Sequence, residues 1–284
     1  MAWDALSMYA KPEAANLDLS VVQRALDAFG SRRDDPEFRN VSDYDVSRLL
    51  AVLRANGVAD DVVARYEWKF LPLLAREGHL ISLERTIASN PREFVNLIEL
   101  VYRPASTKGE EPDAKNEERS AVAGQAWRLL HEWHTVPGTT ESGSVDRDAL
   151  FAWLTEARAL LQASDRKDVG ELQIGEVLAH APTDGDGVFP TDAVRDALEA
   201  APDEHLGRGF AIGVFNKRGV TSRGLTEGGE QEYQLARQFH DWASAVGETH
   251  PRTAVILRSI ADSYMEEGRR HDEEARRCLE GLDT

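Results

Sequence analysis

The sequence predicts an all-α fold of packed helical hairpins, either a short irregular solenoid or two helical lobes. Three observations predict it. Apolar residues recur every three or four positions through nearly every segment. Alternating apolar–polar runs of strand length are almost absent. Prolines, glycines and short polar residues fall between the periodic stretches, where helices start and stop.

Taken in order, Trp3, Leu6, Met8 and Tyr9 predict a short first helix ended before Pro12. Val22, Leu26 and Phe29 share one face of a second, stopped by Gly30, and a polar turn follows from Ser31 to Pro36. Ser42 fits as N-cap of a helix through Val46, Leu49, Leu50 and Leu53 that Asn56-Gly57 closes. The next helix opens at Asp60 or Asp61 with Val63, Tyr66, Phe70 and Leu74 in line, and Pro72 inside it predicts a kink or a division. Leu80–Ala88 reads as a short helix. Pro91 starts another, with Phe94, Leu97, Ile98 and Val101 inward.

Residues 104–118, PASTKGEEPDAKNEE, carry no large apolar side chain, which suggests a boundary or long exposed loop. The expected organisation is therefore an N-terminal helical lobe over 1–103, a linker over 104–118 and a C-terminal helical lobe over 119–284. The second lobe opens with Val122, Ala126, Leu129, Leu130 and Trp133 on one side of a helix that stops at Pro137-Gly138. Asp146 then caps one helix, and Thr191 or Asp192 another, each after a proline and a glycine-containing loop. Two such units hint at stacked hairpins but do not make a repeat. Leu235, Phe239, Trp242 and Val246 align on a later helix. Leu257, Ile260, Ala261 and Tyr264 align on the last one, whose end, EEGRRHDEEARR, is charged nearly all round and reads as a solvated or partner-binding projection.

With 284 residues, the chain is long enough to bury roughly three quarters of its unfolded surface. Its 33 basic and 50 acidic side chains leave a formal net charge of −17, which repels nucleic acid at long range. The single cysteine, Cys278, excludes an intrachain disulfide and a thiolate zinc cluster. No run reaches the roughly 18 apolar residues of a spanning helix, and Asp4 interrupts any signal-like start. A soluble, cytoplasmic protein with no membrane association follows as the expectation.

One stretch stands apart. His205–Gln231 holds seven of the 21 glycines, and between His205 and Thr226 it carries Arg208, Lys217, Arg218 and Arg223 with no acid. It reads as a basic, glycine-jointed connector, with Phe210–Phe215 as a short buried helix or an irregular apolar segment. GVTSRGLT from Gly219 has the spacing of a phosphate-binding loop, but Leu225 stands where lysine is required. The glycines from Gly207 have the look of a dinucleotide fingerprint, with the third displaced. Neither motif follows a strand, so both fail. What survives is a generic anion or partner site of Arg208, Lys217, Arg218, Arg223, Glu227 and Gln231. The plainer reading pairs the two later arginines with Glu227, Glu230 or Glu232.

Metal and nucleophile motifs fare no better. His131-Glu132-Trp133-His134 is one residue short of a zincin pair, and Asp184-Gly185-Asp186-Gly187 lacks the first and last ligands of a calcium loop. His240-Asp241 and His271-Asp272 are HD dipeptides of the kind metal-dependent phosphohydrolases use, the second in very polar surroundings. No metal, cofactor or catalytic residue is assigned.

Five phrases carry a resemblance: YEWKFLPLL from Tyr66, NPREFVNLIELVYRP from Asn90, IGEVLAHAPTDGDGVFP from Ile174, RGVTSRGLTEGGEQE from Arg218 and PRTAVILRSIADSYMEEGRRHDEEA from Pro251. Together they resemble the C-terminal helical region of large multidomain bacterial proteins with no assigned activity. The resemblance covers most of the chain and implies that catalytic or sensing domains lie upstream of it. The functional expectation is a non-enzymatic helical module for a protein partner, in or beside a larger bacterial assembly. Its alternative is a module for a phosphate-bearing ligand, a nucleotide or nucleic-acid end, through loop 205–231. An HD-type phosphohydrolase stands third.

Overall fold

The computed structural model of the chain describes residues 18–31, 41–74, 80–107, 117–219, 222–224 and 226–281. Among them the chain is all-α: thirteen α-helices, one 3-10 turn and a lone antiparallel bridge between Thr139 and Val145. No helix among them is long and apolar enough to cross a membrane. The expected helix around Trp3 and the turn after Ser31 lie outside the described residues, as does most of 104–118. The chain divides into two compact units, Met1–Thr135 and Val136–Thr284.

In the first unit, α1 (Leu19–Ser31) buries Val22, Leu26 and Phe29 against α2 (Asp43–Ala55). Ser42 caps α2 in a capping box with Asp45, and Gly57 just past its end takes φ +75°. Pro72 divides the next pattern as its missing N–H requires, into α3 (Asp60–Lys69) and the single turn α4 (Leu71–Leu74). Then come α5 (Ile81–Ser89) and α6 (Pro91–Val101), the latter started by Pro91 and capped by the Asn90 side chain. Phe94, Leu97 and Ile98 are buried on α6, with Val101 half-buried. On α7 (Glu117–Glu132) Ala126, Leu129 and Leu130 are buried, but Val122 is 39% exposed, so the inward stripe begins a turn later than its periodicity suggests. Because α7 packs along α6, it belongs to the first unit.

The second unit holds α8 (Arg147–Ala163), α9 (Lys167–Leu178), α10 (Asp192–Glu199), α11 (His205–Arg218), α12 (Glu230–Val246) and α13 (Pro251–Leu279). Asp146 caps α8 by accepting the Ala149 N–H at 2.8 Å. The last two helices form a close hairpin over Leu257, Ile260, Ala261 and Tyr264.

One expectation is corrected here. The first half of the supposed connector 205–231 is α11, a continuous helix of 14 residues. Gly209 and Gly213 are not joints; they let two helix backbones touch. A Cβ on Gly209 would strike the Leu172 carbonyl of α9, one on Gly213 would sit 2.5 Å from the Glu176 carbonyl oxygen, and one on Gly175 of α9 would strike the Leu206 carbonyl of α11. The described residues between Gly219 and the start of α12 lie outside any helix.

Candidate functional site

Two of the residues expected to bind an anion, Arg218 and Arg223, meet around one of the chain's own carboxylates. Glu232, in the first turn of α12, is fully buried. Arg223 grips it with two hydrogen bonds, at 2.7 and 3.1 Å, and Arg218 from the end of α11 makes a third, closer pairing with the same carboxylate. Arg218 also reaches Glu267 of α13 at 3.5 Å and lies over the Tyr264 ring at 5.3 Å. Burial alone would push the Glu232 carboxyl up, but the bonds from Arg223 and Arg218 outweigh it and hold it down at about 2. The same pairing raises Arg223. A phosphate would have to displace Glu232 from both guanidinium groups, leaving a buried carboxylate behind.

The other expected residues scatter. Arg208 points outward from α11. The Lys217 ammonium sits 5.6 Å above the Phe189 ring and 3.5 Å from the Ala179 carbonyl, where burial lowers its pKa. Glu227 accepts the Gly224 N–H at 3.0 Å and the Gln231 side chain at 3.1 Å, a local loop tie on the surface.

Glu232, Glu267 and His271 bring one ligand atom each within 4.8 Å of one another, the spacing of a metal centre. Arg218 already pairs with both glutamates there, so the position carries a fixed cation, and the donor set does not suit a metal ion. Its His271 also meets Glu274 at 3.0 Å, while Asp272 turns away to accept the Tyr233 hydroxyl at 2.6 Å and the Gly229 N–H at 2.8 Å. Neighbours on a helix diverge by about 100 degrees, so this HD dipeptide is split between two structural tasks. The His131 ring lies tilted against Trp127, centroids 4.0 Å apart, and its Nδ1 bonds the Trp127 backbone carbonyl. The Asp184 loop likewise closes on a guanidinium, accepting Arg195 at 2.5 Å beside the Asp186 and Val188 N–H groups.

Among the described residues, one open concave surface lies in the first unit. A groove of about 460 Å³ runs between α3, α5, α6 and α7. Trp68, Leu83, Ile87, Leu97, Leu100 and Leu129 give it an apolar lining, and Asp61, Arg65, Glu93 and Asn96 stand at its polar positions. Leu100 is 43% exposed although it lies one turn from buried Leu97. The wall is held from below by Glu67, a fully buried carboxylate on α3. It accepts the Leu83 N–H at 2.6 Å and the Ser82 N–H at 3.2 Å at the start of α5, and Arg54 of α2 pairs with it at 2.7 Å. Burial pushes Glu67 up to about 7, against the opposing pull of those N–H groups and Arg54. Ser82 adds a bond to Asp60 at 2.7 Å. These ties place Trp68 and Leu83 on adjoining walls.

Sequence reasoning missed this groove. Its visible trace is Leu100, an apolar residue three positions beyond Leu97 with charged Glu99 beside it. No family model, curated protein or solved structure matches the chain.

Proposed function

We propose that the chain is a non-enzymatic helical interaction module and that it receives a protein partner through the groove of its first unit. The observation that carries this reading is the partly exposed apolar lining between α3, α5, α6 and α7, in which Leu100 stays open to solvent. An apolar concavity rimmed by polar groups is what a partner's anchoring side chains need. The basic stretch gives this reading little support, because Arg218 and Arg223 are bound to Glu232.

The test compares proteins captured from the native host by the unmodified chain and by two surface variants. Leu100→Glu places a charge in the groove and should lose the specific partner without shifting the melting temperature. Arg208→Ala, on an exposed face of the second unit, should retain it. Capture that survives Leu100→Glu unchanged would sink the proposal.

A further inference from the structure

We infer that the groove's occupant is a single amphipathic helix with a basic flank. This rests on the groove being the binding surface. A helix laid in a groove inserts apolar side chains spaced three and four apart, and Trp68, Leu97 and Leu100 offer such a stripe a receiving surface from two helices. The volume of about 460 Å³ accommodates a few anchoring side chains, not a folded domain's face.

Charge selects the flank. Among the groove's charged residues, Asp61 and Arg65 pair with each other at 3.5 Å, both side chains being mostly exposed. That leaves the Glu93 carboxylate, which meets only the neutral Asn96 amide, at a long 3.5 Å, as the charge a partner would feel. The net charge of −17 acts in the same direction at long range, drawing in a basic segment and repelling an acidic one. Charge also argues against a second copy as occupant, since each would bring the same net negative charge. An apolar small ligand would gain nothing from Glu93.

The experiment uses the full chain and two labelled helical peptides that share one leucine stripe and differ only in flanking lysines or glutamates. Fluorescence anisotropy should give roughly tenfold tighter binding to the lysine peptide at low salt, with the ratio shrinking as salt is raised. Leu100→Glu should weaken both peptides, and Glu93→Gln should narrow their ratio while leaving the glutamate peptide no weaker. Equal binding of the two, or a ratio untouched by Glu93→Gln, overturns the basic flank and leaves the groove standing. Failure of both peptides to bind, or binding indifferent to Leu100→Glu, overturns the groove itself.

Discussion

Arg218 and Arg223 converge on Glu232 from the end of α11 and from the following loop, so the three residues act as one tie between α11 and α12. Replacing both arginines by alanine strands a fully buried carboxylate. The expected cost is about 3–5 kcal/mol in denaturant unfolding, and a loss under about 1 kcal/mol would show that the tie is dispensable. The tie also sets an acid limit. Glu232 has a folded pKa of about 2 against an ordinary 4.5, so its contribution is complete above pH 4.5 and is lost as the pH falls towards 2. Glu67 behaves in the opposite sense. Its folded value near 7 exceeds 4.5, so its contribution is complete below pH 4.5 and fades as the pH rises through 7. Unfolding free energy followed across pH should therefore lose an acid-side contribution in Glu232→Gln and not in Glu67→Gln. The sequence narrowed the partner of these arginines to Glu227, Glu230 or Glu232. Choosing among them required knowing which one turns inward, and periodicity on a helix with no cap of its own does not say.

Helices α5, α12 and α13 start without a side-chain cap from their own N-cap residue, and each is capped from elsewhere in its unit. Glu67 serves α5; Asp272 accepts the Gly229 N–H at the start of α12; and Glu199 accepts the Thr253 N–H of α13 at 2.7 Å. The donors of each first turn need an acceptor, but one that arrives from a distant residue leaves no local signature. The α9–α11 crossing poses the same difficulty. A glycine in a helix costs about 1 kcal/mol relative to alanine, so several within one short stretch read as loop until a second backbone is seen against them. Gly209→Ala should destabilise by about 1–3 kcal/mol or more through overpacking, whereas Gly185→Ala, with open space around it, should not. Equal melting temperatures for the two variants would refute the close crossing. Where signals are local, the elements were legible. Ser42 with Asp45, Pro91 and Asp146 all stand at the helix starts their types favour.

At the scale of the whole chain, each unit encloses its own apolar core: Leu49, Leu50, Phe70 and Phe94 in the first, Leu154, Ile174, Phe210 and Leu257 in the second. Residues 136–284 expressed alone should accordingly stay helical and melt in one cooperative transition. A broad, non-cooperative melt would show that the unit depends on the rest of the chain. The polar stretch 104–118 is visible in composition, yet α7 beyond it returns to α6, because α7's inward side chains are matched to that helix. The groove is a product of this return. None of its walls is unusual as sequence, and Leu100 acquires meaning only once α3, α5 and α7 stand around it. By itself the sequence determined that this chain is helical and where most helices begin, since caps and apolar spacing act within a few residues. Tertiary structure alone decided that the basic, glycine-rich stretch begins as a packed helix, that Arg218 and Arg223 are tied to Glu232, and that an open groove lies in the first unit. Burial and ion pairing depend on which faces meet, and residues far apart in the chain supply those faces.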